Sequence, residues 1–235
     1  MGCAAIVPGM TESPVQITDP RVEEYIAEMS RLGGAHGLPA GLPEVLQVME
    51  EYAEGLSLPI AGPMVGRVLY MLTGVVGAKR VFDAGCGFGY SAAWLAAGAG
   101  AGATVTCVDL SEDNVRLARE NHRRAGLKAS FDYRYGDAVA TLEQEVGPFD
   151  IIFNDVDKQH FPRIGQLAAE RLRPGGMYIA DNSLWYGKVC SATTTRDAWT
   201  AAVDRHNQWF FSNPSFFTTM IDQRDGLLIA VKQRA

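Results

Sequence analysis

The chain of 235 residues has little cysteine, no excess of positive charge and no long apolar run. Its 27 Asp and Glu residues outnumber 21 Lys and Arg residues, and the net charge of -6 argues against a basic surface for nucleic-acid phosphates. The most apolar window, residues 92–108, is mostly Ala and Gly, whereas a membrane span needs about 20 strongly apolar residues. We therefore expect neither nucleic acid nor a membrane as a partner.

Cysteine usage and the first residues bear on the cellular compartment. The four cysteines, Cys3, Cys86, Cys107 and Cys190, form no C-x-x-C pair. The N-terminal residues lack the positive start and apolar stretch of a secretory signal, so a cytoplasmic location is expected. Hydrophobic residues make up 47% of the chain and charged residues 20%, a balance that suits a folded domain with a sizeable core.

The first part of the sequence is expected to form a short N-terminal arm followed by helices. No internal repeat or low-complexity linker is present, so we expect a flexible N-terminal arm over residues 1–17 and one domain over residues 18–235. Within this domain, residues 18–60 are expected to supply N-terminal helices. Apolar residues at helical spacing predict helices at about 20–32, 43–52 and 63–76.

From residue 80 onward, short apolar runs alternate with helical segments. Strands are predicted at 80–85, 104–110, 131–136, 149–155 and 176–181, separated by helices at about 90–97, 112–125, 138–146 and 162–172. Parallel neighbours need crossover helices, so this alternation predicts an α/β fold with a doubly wound parallel sheet. A further helix at about 196–211 precedes strands at 216–222 and 226–232. The short link between these strands predicts a hairpin, which makes the last strand antiparallel to at least one neighbour.

A glycine-rich turn, Asp83-Ala84-Gly85-Cys86-Gly87-Phe88-Gly89, follows the first predicted strand. Ligands of α/β sheets bind at the carboxyl ends of strands, where Asp109 of the next strand is placed to accept hydrogen bonds from a ribose. A nicotinamide-binding turn has G-x-G-x-x-G, whereas Tyr90 stands at the sixth position here. A carboxylate at Asp83 repels a pyrophosphate and attracts an ammonium or sulfonium, which favours S-adenosylmethionine. A tight turn without a ligand is the structural alternative.

Acidic side chains follow the fourth and fifth predicted strands. Asp155 and Asp157 follow one strand, and Asp181 and Asn182 follow the other. If the strand ends are close, Asp155, Asp181 and Asn182 offer hard oxygen ligands without His or Cys, which favours Mg²⁺, Mn²⁺ or Ca²⁺ over Zn²⁺. Helix capping is the alternative for each acid taken singly. Lys158 is a candidate general base beside such a metal, and a solvated lysine paired with Asp157 is its alternative.

Four stretches of sequence carry a resemblance to a known family. They read VFDAGCGFGYSAAWLA, VTCVDLSEDNVRLARENHRRAGL, FDIIFNDVDKQHFP and GGMYIADNSLWYGKV. They resemble the cation-dependent S-adenosylmethionine O-methyltransferases of the caffeoyl-CoA and catechol type, over roughly residues 59–232. The D-x-D-K element followed by D-N-x-L-W-x-G is the most specific part. The resemblance implies a Rossmann-like class I methyltransferase fold, with a seven-stranded sheet whose last strand is reversed, and a homodimer.

The resemblance also implies roles for individual residues. It makes Asp155, Asp181 and Asn182 metal ligands, Lys158 and Asp155 catalytic, and Lys158, Trp185 and Tyr186 substrate contacts. A packed aromatic that holds its loop is the alternative for Trp185. The residues expected to bind the cofactor are Ala61, Asp83, Gly85, Cys86, Gly87, Tyr90, Ser91, Asp109, Leu110, Asp137, Ala138, Asp155 and Asp157.

Some positions depart from the family's pattern and bear on the acceptor. Ala61 stands where plant members offer a hydroxyl, and Tyr186 stands where they have an Asn that contacts substrate. These changes count against a plant acyl-CoA and leave a small aromatic vicinal diol as the expected acceptor. Its pocket is expected between the N-terminal helices and residues 186–213, where His206 is interpreted as a packing or surface residue. An NAD-linked oxidoreductase and a non-catalytic S-adenosylmethionine-binding module are the alternative functions.

Overall fold

The computed structural model describes residues 19–32, 36–191 and 197–234, and the predicted arm at residues 1–17 lies outside them. The helices are α1 Pro20–Leu32, α2 Leu42–Gly55, α3 Gly62–Val76, α4 Tyr90–Ala99, α5 Glu112–Arg124, α6 Ala138–Gln144, α7 Phe161–Arg171 and α8 Ala198–Ser212. The strands are β1 Arg80–Ala84, β2 Thr104–Asp109, β3 Ser130–Tyr135, β4 Phe149–Asn154, β5 Leu172–Ala180, β6 Phe216–Ile221 and β7 Leu227–Lys232. Short 3-10 turns lie at Lys158–His160 and Lys188–Cys190.

The seven strands form a sheet in the order β3-β2-β1-β4-β5-β7-β6. Strands β1 to β5 pair in parallel, and β7 is antiparallel to both β5 and β6. The predicted doubly wound sheet with a reversed last strand is therefore confirmed. Strand β5 starts earlier than predicted, at Leu172 instead of residue 176. The added segment, residues 172–175, contains Pro174 and Gly175, residue types that are rare in strands and that hide it from a propensity argument.

Alternate residues of the central strands face two separate hydrophobic cores. Val81 and Ile151 belong to a core with α2, α3 and α4, whereas Phe82 and Ile152 belong to a core with α6, α7 and α8. This period of two is what a sheet covered on both faces requires. Within the described ranges, we find no helix of the length and apolarity needed to cross a membrane.

Helices α3 and α4 approach closely because glycines lie where they meet. A Cβ added to Gly98 would lie 2.3 Å from the Tyr70 carbonyl oxygen, and one added to Gly66 would lie 2.2 Å from Nε1 of Trp94. Real side chains do not tolerate such distances, so the two helices pack at this spacing only with glycine at both positions. Helix α4 begins directly after the glycine-rich turn, so this packing fixes the turn against α3.

We expect Gly98→Ala to destabilise the protein by about 1–3 kcal/mol or more, because the new methyl group clashes with backbone that cannot rotate away. Gly74→Ala is the matched control on the same pair of helices. A Cβ at Gly74 has its nearest neighbour at 3.6 Å, so helix propensity should dominate and stability should rise by up to ~1 kcal/mol. Urea unfolding of both variants measures the difference, and equal effects of the two substitutions would contradict the close approach.

Candidate active site

The glycine-rich turn depends on a left-handed backbone and on close contacts. Gly85 and Gly89 have φ values of 84° and 96°, which favour glycine. A Cβ at Gly85 would lie 2.5 Å from the Asp155 carbonyl oxygen, and one at Gly89 would lie 2.5 Å from Nε2 of His122. The turn therefore packs directly against the end of β4 on one side and against α5 on the other.

His122 of α5 holds the turn from behind, a role that the sequence analysis missed. Its Nε2 lies 2.8 Å from the Gly89 carbonyl oxygen, and its Nδ1 lies 2.9 Å from the Tyr133 hydroxyl. Burial lowers the pKa of His122 to about 4, so the ring is neutral near pH 7. Nε2–H then donates to Gly89, and the Tyr133 hydroxyl donates to Nδ1. No spacing rule in α5 marks this histidine, because its partners come from other elements.

Two adjoining clefts open beside the turn at the carboxyl edge of the sheet. The larger has a volume of about 550 Å³, part of which is open to solvent. Gly85 and Asp155 line both clefts, which therefore meet at these residues. Of the other predicted cofactor residues, the larger cleft includes Asp109, Leu110, Asp137, Ala138 and Asp157, and the smaller includes Ala61, Cys86, Gly87, Tyr90 and Ser91. The larger cleft is also lined by residues that were not predicted from the sequence, namely Val108, Gly136, Val139, Val156 and His160.

The Asp109 carboxylate at the end of β2 is oriented by three hydrogen bonds. Oδ2 accepts from the Gly87 backbone N–H at 2.9 Å, and Oδ1 accepts from the Ser111 N–H at 2.9 Å and from Asn114 Nδ2 at 3.0 Å. An ionised carboxylate accepts about four hydrogen bonds, so acceptor capacity remains. Asp109 also lines the larger cleft, where that capacity is available to a ligand hydroxyl.

Asp83 lies behind the clefts and is fully buried. Its Oδ2 accepts from the Ser91 hydroxyl at 2.7 Å, and its Oδ1 has no partner within the described structure. Burial above all, helped by the charges of Asp155 and Asp109, raises the pKa of Asp83 to about 7, although the Ser91 hydrogen bond opposes the shift. A buried acceptor without a partner is costly, and a cationic group held beside it would offset this cost.

The carboxyl groups of Asp155 and Asp181 are brought near one another by β4 and β5. Asp181 is buried, and burial together with the charge of Asp155 raises its pKa to about 7. The next residue, Asn182, has a left-handed backbone with φ of 52°, and its N–H donates to Asp181 Oδ1 at 2.8 Å. Two mutually repelling carboxylates supply hard oxygens, which fit a hard divalent cation, and the side chain of the adjoining Asn182 hydrogen-bonds to Asp225. The described residues contain no cluster of three or more His, Cys, Asp and Glu side chains arranged for a metal.

Two predicted cofactor residues also act as helix caps. Asp137 accepts from the Ala140 N–H at the start of α6, and Asp157 accepts from the Gln159 N–H at the start of a 3-10 turn. The capping alternative therefore describes Asp157, and Asp137 is a helix cap as well, although each also lines the larger cleft. Capping and ligand contact are compatible, because a carboxylate has two oxygens.

Lys158 is buried at the same edge of the sheet and pairs with Asp155 instead of Asp157. Its Nζ lies 3.0 Å from Asp155 Oδ1. Two aromatic rings flank the Nζ, with the centroid of Phe161 at 4.6 Å and that of Trp185 at 5.7 Å. The alternative of a solvated lysine paired with Asp157 is thus wrong for this structure. The half-buried Trp185 packs against a lysine within the site.

The loop after β5 has an unusual backbone and is held by the β6–β7 turn. Trp185 and Tyr186 have φ values of 47° and 55°, which are uncommon for large side chains. The Asp225 carboxylate accepts from the Tyr186 N–H, and the Asp225 carbonyl accepts from the Leu184 N–H. The neighbouring Arg224 donates to the carbonyl oxygens of residues 60 and 61 at the smaller cleft. The Tyr186 side chain is 67% exposed, so the structure does not bring it into either cleft.

We expect Asp83→Asn to change the pH dependence of the ligand-free protein. The folded state binds a proton at Asp83 up to pH about 7, whereas an unfolded Asp releases it near 3.8, so this carboxyl costs stability as the pH rises between these values. The variant should gain thermal stability over the wild type progressively from pH ~4 to ~7, with a constant difference above. Asp113→Asn, at an exposed position of α5, is the control. A difference in melting temperature between Asp83→Asn and the wild type that is the same at every pH would contradict this assignment.

Comparisons with known proteins agree on one family. A sequence profile described as O-methyltransferase matches residues 44–233. The catechol O-methyltransferase of Niastella koreensis is 30% identical over 186 residues, which are 75% of this chain and 84% of that protein. Caffeoyl-CoA O-methyltransferase 2 of Zea mays is 29% identical over 157 residues, 64% of this chain and 59% of that protein. The O-methyltransferase of Bacillus cereus, solved in complex with SAH, is 27% identical with a TM-score of 0.75, over 91% of this chain and 97% of its own.

Proposed function

The chain belongs to the O-methyltransferase family, and we propose that it methylates a hydroxyl of a small catechol-like aromatic with S-adenosylmethionine as donor and a divalent cation as cofactor. Membership confirms the resemblance and the methyltransferase activity expected from the sequence, and it sets aside the NAD-linked oxidoreductase. One observation carries the finer proposal. Asp155, which lines both clefts, lies close to Asp181 and pairs with Lys158 Nζ at 3.0 Å, and Asn182 directly follows Asp181.

The donor is proposed to lie across both clefts. The larger cleft would take the nucleoside, with Asp109 on the ribose and Ala138 at the adenine, because Asp109 keeps acceptor capacity there. The smaller cleft would take the methionine part near Ser91, with the unpartnered oxygen of Asp83 supporting its ammonium. A donor that crosses their junction at Gly85 and Asp155 would have its sulfonium methyl group near Asp155.

Asp155, Asp181 and Asn182 are proposed to hold the cation, with Mg²⁺ as first choice and Mn²⁺ or Ca²⁺ as alternatives. A divalent cation held there supplies positive charge that lowers the pKa of a bound hydroxyl. Burial and, after it, the charge of Asp155 raise the pKa of Asp181, and the repulsion between these two carboxyl groups supports this assignment. An acceptor with two adjacent oxygens is favoured because it can approach such a site with both of them, which fixes the reacting oxygen.

In the proposed reaction an acceptor oxygen forms a bond to the methyl carbon, and the carbon–sulfur bond breaks with its electron pair remaining on sulfur. The hydroxyl proton passes to Nζ of Lys158, and Asp155, 3.0 Å from that nitrogen, pairs with the ammonium. Phe161 and Trp185 exclude water around this amine, since both rings lie against it. The protein's contribution is to orient the two reactants and to receive one proton.

The test is methyl transfer from S-adenosylmethionine to catechol, with phenol as the acceptor that lacks the second oxygen. Transfer to catechol is expected to fall at least about tenfold when EDTA removes the cation, and Mg²⁺ should restore it. Undiminished transfer in EDTA would remove the cation from the proposal. Binding of S-adenosylhomocysteine without transfer to any vicinal diol would favour the non-catalytic module instead.

Replacement of Lys158 tests the proton acceptor separately. Lys158→Met is expected to lower kcat by roughly 10²–10⁴, because general-base catalysis contributes on that order. Lys188→Met is the matched control, since Lys188 Nζ also lies 5.5 Å from the Trp185 ring centroid but its side chain is 49% exposed. Steady-state kinetics on catechol should separate the two variants. Wild-type kcat in Lys158→Met would exclude the amine from proton transfer.

A further inference from the structure

A chain of buried polar side chains runs behind the acidic pair and uses residues that the proposed reaction leaves unassigned. His206 of α8 is 1% exposed, and its Nε2 lies 2.8 Å from the hydroxyl of Tyr178 on β5. That hydroxyl accepts from Nδ2 of Asn154, the last residue of β4, at 2.7 Å. On the other side, His206 Nδ1 lies 3.0 Å from Asn207 Oδ1, and Asn207 Nδ2 donates to the Ser183 carbonyl at 2.7 Å.

The direction of every hydrogen bond in the chain follows from its far end. The Ser183 carbonyl only accepts, so it faces the amide nitrogen of Asn207, and Oδ1 of that amide faces His206. His206 Nδ1–H must therefore donate to Asn207, which leaves Nε2 without a proton as the acceptor of the Tyr178 hydroxyl. The Tyr178 oxygen then accepts from Asn154, and each donor meets one acceptor.

The imidazole must stay neutral for this pattern to hold. Burial lowers the pKa of His206 to about 4, and the nearby positive charge of Lys158 acts in the same direction. The ring otherwise lies among aromatic side chains, edge-on to Phe161 and Phe210. Its polar contacts are thus a directional feature within an apolar core.

The two ends of the chain adjoin the candidate metal ligands. Asn154 directly precedes Asp155, and Ser183 directly follows Asn182. The backbone supports the same junction, since the Asp181 N–H donates to the Asn154 carbonyl at 3.1 Å. Helix α8 therefore reaches both strand ends that carry the oxygen ligands.

We propose that His206 is a positioning residue that, through Tyr178 and Asn207, fixes the spacing between Asp155 and the Asp181–Asn182 pair and thereby sets the affinity for the divalent cation. The inference rests on the proposed function, because it concerns the cation of that site. His206 touches neither donor nor acceptor in this assignment. Its loss should act on cation binding and spare the nucleoside cleft, which neither His206 nor Tyr178 lines.

The test uses Mn²⁺ as the probe, with affinity measured from the electron paramagnetic resonance signal of free Mn²⁺ and with S-adenosylhomocysteine affinity measured by calorimetry. Tyr178→Phe and His206→Leu are each expected to weaken Mn²⁺ binding by roughly 10–100-fold, the range for partners that orient metal ligands. S-adenosylhomocysteine binding should change less than about twofold in both. The double variant should bind Mn²⁺ no more weakly than the single variant with the lower Mn²⁺ affinity, because both substitutions break the same series of hydrogen bonds.

Val203→Ala is the matched control, since Val203 is fully buried on the same helix and makes none of these side-chain hydrogen bonds. It should lower the melting temperature and leave Mn²⁺ affinity unchanged. If His206→Leu does not fold, the nearly isosteric Tyr178→Phe decides the question. Wild-type Mn²⁺ affinity in folded Tyr178→Phe, or an equal loss in Val203→Ala, overturns the inference and leaves the proposed function standing. A wild-type protein that binds no Mn²⁺ overturns the cation part of the proposed function and this inference together.

Discussion

Mutual repulsion of carboxylates at the carboxyl edge of the sheet is the constraint around which the site is built. Asp83 and Asp181 are buried, and each has its pKa raised to about 7 by burial and by the charge of Asp155. The fold brings these groups together although their charges oppose it, and Lys158 is the cation that pairs with Asp155 in the described structure. Such an arrangement costs stability in the ligand-free protein and favours whatever brings positive charge to the edge.

The fold holds this unfavourable arrangement through close contacts with little freedom to relax. Gly85 packs against the Asp155 carbonyl, so the turn and the end of β4 cannot move independently. His122 fixes the turn from α5, and the chain around His206 ties the ends of β4 and β5 to α8. Helix α5 on one face of the sheet thus supports the glycine-rich turn, and helix α8 on the other face supports the acidic pair.

The sequence predicted the sheet, its antiparallel last strand and the position of the glycine-rich turn because their signals are local, whereas the family resemblance supplied most of the individual cleft residues. Glycines after a strand, and acids at the ends of two strands, mark one edge of a parallel sheet once the alternation of strands and helices is recognised. The supporting residues were not predictable in this way. His122, His206 and Arg224 act on partners far away in sequence, and strand order alone decides that they meet. The early start of β5 was missed because Pro and Gly argue against a strand locally.

The left-handed backbone at position 182 restricts which amino acids fit there without strain. At φ of 52° the residues that fit without strain are chiefly Gly, Asn and Asp. Gly brings no side-chain oxygen, and Asp would add a third negative charge beside Asp155 and Asp181. Asparagine alone satisfies both the torsion angle and the electrostatic balance, so backbone geometry and charge select the same amino acid for independent reasons.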